Sequence, residues 1–150
     1  IDTIVCLDGT ELIGAFMAEF LADTGIMSIN SGKNISIITP DVNAYGQLVF
    51  MDSTLRMLKH MQVLVLAASV TTGQTITRAA EAVSYYGGTV RGVAAIFSNV
   101  EQTAEGMEIF SIFQKEDLPD YQSYLPSECP MCRKKMPIDA IVNSFGYSKL

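Results

Sequence analysis

Short apolar runs alternate along the chain with segments whose apolar residues recur at helical spacing. The run Thr3–Cys6 is continuous and β-rich, which predicts a buried strand. From Glu11 to Asp23 a helical stripe predicts a helix that Gly25 ends, and Ile26–Ile29 is predicted as a second strand. Apolar residues of the stripe are Leu12, Ile13, Phe16, Met17, Phe20 and Leu21. Such alternation of strands and helices is typical of an α/β domain.

The next stretch is rich in turn-forming residues. Residues 31–46 contain Gly, Asn, Pro and Asp around the short run Ile35–Ile38, which predicts a loop or a β-excursion from the main sheet. Gln47–Phe50 is the predicted returning strand. Asp52 is predicted to N-cap a helix that ends near His60.

The clearest pattern lies in the middle of the chain. Val63–Ala68 is wholly apolar, which is typical of a parallel strand buried on both faces. A turn of small residues over Ser69–Thr75 follows, and then a helix over Thr75–Tyr86 that Gly87 and Gly88 end. With a strand over Thr89–Phe97, this unit has the length of a right-handed parallel crossover.

The chain as a whole has the size of one domain. It contains 150 residues, and after a weaker strand at Glu108–Phe113 a tail over 117–150 completes it. Because the chain opens on an apolar run at Ile1, we expect N-terminal residues to be missing.

Charge and composition exclude some classes of function. The chain contains 16 acidic residues and 10 Lys and Arg, which gives a net charge of −6. It therefore lacks the excess of basic residues that is typical of a nucleic-acid binder. No apolar run approaches the ~18 residues that span a bilayer, so no membrane partner is expected. Three cysteines without a secretory signal favour a reducing cytoplasm. Charged residues make up only 17%, against roughly 25% on average, which hints at a partner subunit.

The turn between the central strand and its helix carries the candidate chemistry. Amides at a helix N-terminus have no intrahelical partner, and the helix dipole adds positive charge there. Gly73 lets a ligand approach the backbone, and Thr71, Thr72 and Thr75 add hydroxyl donors. The sequence therefore predicts a cradle for one phosphate group. The alternative is a threonine-capped turn that binds only water.

Three segments resemble one enzyme family. The run 63–76, with its Thr71-Thr-Gly-Gln-Thr75 turn, resembles the phosphoribosyl pyrophosphate motif of type I phosphoribosyltransferases. The run 4–14 is similar to the early strand and pyrophosphate loop of that family. In the tail, Asp117-Leu-Pro119 and Cys129-Pro-Met-Cys132 are similar to the end of many orotate phosphoribosyltransferases, which favours that branch.

The resemblance implies a fold, a reaction and site residues. It implies a Rossmann-like α/β fold with a central, mostly parallel sheet of about five strands flanked by helices, and a homodimer. Its reaction moves a phosphoribosyl group from phosphoribosyl pyrophosphate to a base with Mg²⁺, and its N-terminal hood would precede Ile1. At the positions that match the family motifs, the resemblance implies that the 5′-phosphate is bound by Thr71, Thr72, Gly73, Gln74 and Thr75. It implies in the same way that the pyrophosphate loop consists of Asp8, Gly9 and Thr10.

Two departures from the family pattern bear on activity. Ala67 and Ala68 stand where the family has two acids that bind the ribose hydroxyls, so turnover is expected to be weak or absent unless Asp8 or Glu11 reaches the sugar. Lys33 is the single basic residue in the stretch that corresponds to the family's basic loop, and a solvated role is favoured over a catalytic one. The alternative function is a non-catalytic binding or regulatory protein for a phosphorylated nucleotide or sugar.

Cys129 and Cys132 have the spacing of half a zinc site. A closed site needs four ligands, which two chains of a dimer could supply. Packing of both cysteines in a turn is the favoured interpretation. A redox pair is less favoured, because no helix clearly follows the motif in the sequence.

Overall fold

The computed structural model describes residues 1–23, 32–125, 127–143 and 146–150. The elements in chain order are β1 (Thr3–Cys6), α1 (Glu11–Asp23), β2 (Ser36–Ile38), β3 (Asp41–Val42), β4 (Leu48–Val49), β5 (Gln62–Val70), α2 (Gln74–Tyr85), β6 (Thr89–Ser98), β7 (Ile109–Gln114), α3 (Pro130–Arg133), β8 (Ala140–Asn143) and β9 (Gly146–Lys149). Two 3₁₀ helices cover Asp52–Met57 and Lys115–Asp117.

The central sheet is parallel throughout and has the strand order β2-β1-β5-β6-β7. The chain leaves β1 through α1 and reaches β2 at one edge of the sheet. It leaves β5 through α2 and reaches β6, toward the opposite edge. The order of strands therefore reverses between β1 and β5. In open α/β sheets, ligands bind outside the carboxyl ends of the strands at such a switch point.

Each face of the sheet has its own hydrophobic cluster, which is why the run in β5 is wholly apolar. The larger cluster lies on the α2 side and includes Val63, Val65, Ala67, Ile76, Ala79 and Val83. The smaller cluster lies on the α1 side and includes Ile4, Cys6, Ala18 and Leu66. Successive residues of β5 point to opposite faces, so a strand covered on both sides has few polar positions.

The bounds predicted for α1 are confirmed, but its apolar stripe is wider than the face that packs on the sheet. Gly14 and Ala18 are the buried residues of this helix. A Cβ on Gly14 would lie 2.5 Å from Cys6 Sγ, so glycine allows the helix to approach β1 closely. As a result, four large side chains of the stripe are exposed: Leu12, Ile13, Phe16 and Phe20.

The central unit matches its prediction within a few residues. β5 continues two residues past Ala68, so the predicted turn shrinks to residues 71–73. α2 begins at Gln74 and ends at Tyr85, one residue earlier at each end than predicted. Gly87 follows in the left-handed conformation with φ 82° and donates to the Ser84 carbonyl, as expected of a helix stop.

The segment between α1 and β5 contains both a confirmed and a wrong prediction. The β-excursion is an antiparallel hairpin of β3 and β4, whose turn is held by the Asn43 side chain accepting from the amides of Tyr45 and Gln47. Asp52 is not an N-cap but the first residue of a 3₁₀ helix whose N-cap is Met51 and which ends at Met57, before the predicted end near His60. Helices of this type are short because their hydrogen-bond geometry is poor. The strand predicted at Ile26–Ile29 lies outside the described residues.

The tail contains structure that its sequence did not reveal. Tyr121 packs edge-on against Phe97 of β6, with ring centroids 4.9 Å apart. Beyond it the short helix α3 and an antiparallel hairpin of β8 and β9 follow. In the described parts of the chain, no helix has the length and apolar character needed to cross a membrane.

Candidate phosphate-binding site

The turn after β5 enters α2 through a glycine in the left-handed conformation. Gly73 has φ 79° and ψ −8° and is the residue that precedes the helix. It is buried, and a Cβ placed on it would lie 3.6 Å from the Cα of Thr103, an ordinary contact. The backbone angle, rather than a lack of space, is therefore the reason for glycine at this position.

The amides of this turn are unpaired. Across the described ranges, no backbone N–H of residues 71–76 donates to a protein acceptor; the first to do so is Thr77, which donates to the Gly73 carbonyl at 3.0 Å. The turn carries no side-chain cap, and the three threonine hydroxyls make no hydrogen bond within those ranges. A threonine-capped turn, the alternative interpretation of this sequence, is therefore not what the structure contains. Free amide donors at a helix N-terminus are an arrangement that can bind an anion.

A recess of about 30 Å³ opens at the turn. The recess is small, so an anion would seat its inner oxygens there and leave the rest of its molecule outside. Asp8 belongs to the lining because β1 and β5 are neighbours, with Cys6 paired to Leu66. The described residues that line it are Asp8, Ala67, Ser69, Val70, Thr71, Thr72, Gly73, Gln74, Thr75 and Ile76.

The side chain of Thr10 fixes the loop that follows β1 through hydrogen bonds to backbone carbonyls. The Thr10 hydroxyl contacts the Leu7 carbonyl at 2.8 Å and the Leu66 carbonyl at 3.2 Å, and its side chain is buried. Thr10 therefore positions the loop and does not present its hydroxyl to a ligand. Asp8 and Gly9 both have positive φ, 56° and 78°, and in the described ranges their amides donate to no protein acceptor. Positive φ at a residue other than glycine is uncommon and concentrates at functional sites.

The recess carries negative charge of its own. Although Asp8 is exposed at the surface, partial burial of its carboxyl group raises the pKa of Asp8. The described residues of the lining include no Lys or Arg, so among them a bound anion would be balanced by backbone amides and the α2 dipole. An anion in the recess would favour protonated Asp8 or a cation bound between the two charges.

Asn99, which the sequence reasoning missed, ties the turn to β6 and to the tail. Its backbone amide donates to the Val70 carbonyl at 2.8 Å, and its Nδ2 donates to the Thr71 carbonyl at 3.4 Å and to Ser123 Oγ at 2.9 Å. Its Oδ1 is buried and has no hydrogen-bond partner among the described residues. The available signal was a polar residue two positions after the strand predicted at Thr89–Phe97, at an edge where ligand sites concentrate.

A second acidic group lies beside the first turn of α2. The Thr77 hydroxyl donates to a Glu105 carboxylate oxygen at 2.7 Å, and this hydrogen bond lowers the pKa of Glu105. The carboxylate thus complements the positive end of the helix on the side away from the recess lining.

A separate cavity of about 130 Å³ lies at the carboxyl end of β6 and along β7. Asn99, which contacts the turn of residues 71–75, also lines this cavity. Among the described residues, its lining is Ser98, Asn99, Val100, Glu101, Ile109, Ser111, Gln114, Lys115 and Glu116.

Ala67 and Ala68, which the resemblance aligns with the two family acids, lie near the carboxyl end of β5. Ala67 is 1% exposed, lines the recess and belongs to the α2-side cluster, while Ala68 is half-buried. Neither side chain can accept a hydrogen bond from a sugar. Of the acids considered as replacements, Asp8 lines the recess, whereas Glu11 accepts a hydrogen bond from the Thr39 hydroxyl at 3.0 Å and is outside the lining.

Lys33 lies away from the recess. Its Nζ is 3.7 Å from Asp2 Oδ1, at the amino end of β1, whereas the recess is at the carboxyl ends of the strands. This placement agrees with the solvated role that the sequence favours.

The tail cysteines do not form a metal centre in this structure. Cys129 and Cys132 are joined by a disulfide, and in the described ranges no group of three or more His, Cys, Asp or Glu side chains is placed to hold a metal ion. The motif is itself helical, because α3 covers Pro130–Arg133, and the next element among the described residues is the strand β8. Proline at the first helical position has a φ already suited to the helix.

Comparison with known proteins identifies the architecture. No family model matches the chain. Over 80 residues it is 36% identical to orotate phosphoribosyltransferase of Chlorobaculum parvum, a match that covers 53% of this chain and 39% of the relative. Orotate phosphoribosyltransferase of Aeropyrum pernix superposes with a TM-score of 0.51 at 18% identity, covering 81% of this chain and 67% of the other. Hypoxanthine phosphoribosyltransferase of Trypanosoma cruzi gives 0.54 at 12% identity, covering 75% and 59%.

The chain has the type I phosphoribosyltransferase fold. The fold expected from the sequence and the resemblance to orotate phosphoribosyltransferase are both confirmed. At such low identities the solved structures establish the fold and nothing finer. The match spans well under half of the curated relative.

Proposed function

We propose that this phosphoribosyltransferase-fold protein binds the 5′-phosphate of a phosphoribosyl compound at the turn of residues 71–75. The observation that carries the proposal is the set of unpaired amides around a recess at the switch point between β1 and β5. The proposed ligand is a small phosphorylated sugar or nucleotide, because a small recess lined by free amides suits the oxygens of one phosphate group.

The reaction proposed is transfer of the phosphoribosyl group from phosphoribosyl pyrophosphate to a base, with orotate as the first base to test. The open amides of Asp8 and Gly9 suit the pyrophosphate, and we place the base in the cavity at the end of β6 and along β7, because Asn99 borders both this cavity and the turn. Mg²⁺ would neutralise phosphate charge; it usually binds through one or two carboxylates, substrate phosphates and water, and the Asp8 carboxylate fits that pattern.

Slow turnover is part of the proposal. Ala67 and Ala68 offer no carboxylate to the ribose hydroxyls or to positive charge developing on the sugar. Each hydrogen bond to a charged group is worth about 1.5–3 kcal/mol, and loss of electrostatic stabilisation raises the barrier further.

The second candidate function is a non-catalytic protein that binds or senses a phosphorylated nucleotide or sugar. The specific observation in its favour is the combination of an intact phosphate turn with buried alanine at a sugar-facing position. In this case affinity would come from the phosphate and depend little on the ribose hydroxyls.

Titration calorimetry and an orotate assay separate the two functions. Ribose 5-phosphate, its 2-deoxy analogue and phosphoribosyl pyrophosphate are titrated into the protein with and without Mg²⁺. Equal affinity for the first two compounds together with no orotate consumption supports the non-catalytic protein. Measurable orotate consumption supports the enzyme, and absence of binding by all three compounds contradicts both.

We also propose that two copies of the chain pair through the exposed face of α1. The face consists of Leu12, Ile13, Phe16 and Phe20, which are 39–71% exposed. Isologous pairing brings the same patch of two copies together and would remove these side chains from water. The homodimer and the cytoplasmic location expected from the sequence stay predictions.

A further inference from the structure

The tail contains two cysteines that are already within bonding geometry. Cys129 and Cys132 have Cα atoms 5.3 Å apart and are joined by a disulfide. The Cys132 amide also donates to Cys129 Sγ at 3.0 Å, across the start of α3. Cys132 is exposed and Cys129 is half-buried, so solvent reaches the pair.

We propose that Cys129 and Cys132 form a reversible thiol–disulfide site that exchanges with small disulfides of the glutathione type. Neither the phosphate turn nor the proposed phosphoribosyl chemistry uses these residues, so this inference is independent of the proposed function.

A structural staple explains this disulfide poorly. The stabilisation that a disulfide gives through chain entropy grows with the length of the loop it closes, and this pair is separated by only three positions. Exposed disulfides are also the ones that thiols reduce easily. Short separation and exposure together favour a labile, exchanging bond.

The structure assigns the nucleophile to Cys129. A hydrogen bond donated to sulfur stabilises the thiolate, and the Cys132 amide donates one to Cys129 Sγ. The basic run at residues 133–135 adds positive charge close to the pair in the chain. Cys6, the third cysteine, is fully buried, and burial raises the pKa of its thiol, so it should not compete.

The exchange balances without a further reactant. Cys129 thiolate attacks one sulfur of the small disulfide, forms a mixed disulfide and expels one small thiolate. Cys132 thiolate then attacks Cys129 Sγ, closes the protein disulfide and expels the second thiolate. The protein loses two electrons and two protons overall, and the small disulfide is reduced to two thiols.

The test uses the whole chain in buffers of defined glutathione ratio, with acid quenching, alkylation and mass spectrometry. The proposal expects one two-electron transition confined to the peptide with Cys129 and Cys132, unchanged in Cys6→Ser. In single variants, oxidised glutathione should form a mixed disulfide severalfold faster with Cys132→Ser than with Cys129→Ser, because the amide of residue 132 still donates to Cys129 Sγ.

Three results would overturn the proposal. The first is capture at equal rates in the two variants, which removes the assigned nucleophile. The second is a disulfide that glutathione never reduces in the folded chain, which indicates a structural bond. The third is binding of Zn²⁺ by the reduced chain at one ion per two copies with loss of both thiols to alkylation, which indicates a metal site instead.

Discussion

The side chain of Asn99 holds the carbonyl of Thr71 by a hydrogen bond of 3.4 Å from its Nδ2. Its backbone amide holds the preceding carbonyl, that of Val70, at 2.8 Å. The end of β6 thus fixes the first residues of the phosphate turn, and with it the direction of the free amides. The bond of Asn99 Nδ2 to Ser123 Oγ connects the same residue to the tail.

Replacing Asn99 with Ala should weaken phosphate binding. The variant loses two side-chain hydrogen bonds, worth about 0.5–1.5 kcal/mol each, and the turn becomes less ordered. Calorimetry with ribose 5-phosphate measures the loss. Ser123→Ala is the control, because it removes only the tail bond and should leave affinity close to wild type. Equal losses in both variants would show that the tail, not the turn contact, matters.

Gly73→Ala should destabilise the fold and reduce phosphate affinity together. A left-handed conformation costs a residue with a Cβ about 1–2 kcal/mol, and relief of that strain would rotate the amides that line the recess. Gly46→Ala is matched to it, since Gly46 has φ 75° and open space around its Cβ position in the β3–β4 turn. Thermal unfolding should shift similarly in both variants, while only Gly73→Ala loses affinity for ribose 5-phosphate. Unchanged affinity in Gly73→Ala argues against the turn as the site.

Asp8 should make anion binding depend on pH. Its pKa is raised by partial burial, and its carboxylate repels an anion in the recess, so binding should strengthen as pH falls through that raised pKa. Sulfate is the probe, because it keeps its charge over the range tested. Asp8→Asn should bind sulfate more tightly at neutral pH and lose the pH dependence, whereas Asp52→Asn, on an exposed 3₁₀ helix, should behave as wild type.

The raised pKa of Asp8 should also make the stability of the folded state depend on pH. The folded state holds the Asp8 proton at a pH where the unfolded state has released it, so folding stability contributed by this group falls as pH rises through the window between the two pKa values. Asp8→Asn should remove that part of the pH dependence in denaturant titrations. A wild-type profile in the variant would contradict a raised pKa at Asp8.

The parts of the fold set by local pattern could be predicted from the sequence. β1 and α1 have the predicted bounds because a short apolar run and a helical stripe are recorded in neighbouring residues. The exposed side of α1 could not be predicted, since the stripe alone does not say that Gly14 brings the helix onto β1 and leaves Phe16 outside. The prediction that Asp52 caps a helix was wrong, because Asp52 is itself the first residue of a short 3₁₀ helix.

The candidate site was predictable only in its local half. The turn at 71–75 follows from a strand, a glycine and a helix in sequence. Asp8 and Asn99 join it from the neighbouring strands β1 and β6, and this depends on sheet order, which is a long-range property. The place of Asp8 came from a family resemblance, and nothing comparable pointed to Asn99.

Restoring the two acids should increase phosphoribosyl transfer. Ala67→Asp with Ala68→Asp gives the sugar two carboxylates, and orotate consumption should rise above that of the unaltered chain. Ala67 is buried in the cluster under α2, so its replacement should cost about 2–4 kcal/mol of stability. Ala95→Asp is the control, because Ala95 pairs with Ala67, is similarly buried and lies outside the recess lining. No rise in the double variant, with binding retained, would favour the non-catalytic function.

If two copies pair through the exposed face of α1, replacing Phe16 on that face with Glu should separate them. Burying a phenylalanine contributes about 1.5–3 kcal/mol, and in an isologous dimer Phe16 is buried once in each copy. Phe16→Glu removes both contributions and places two carboxylates in the interface, so the dissociation constant should rise more than about 100-fold. Sedimentation over a range of concentrations should show a dimer for the unaltered chain and a monomer for the variant.

The control variant is Phe110→Glu, because Phe110 on β7 is 67% exposed and Phe16 is 65% exposed. A dimer that survives Phe16→Glu but dissociates in Phe110→Glu would move the interface from α1 to the edge of the sheet.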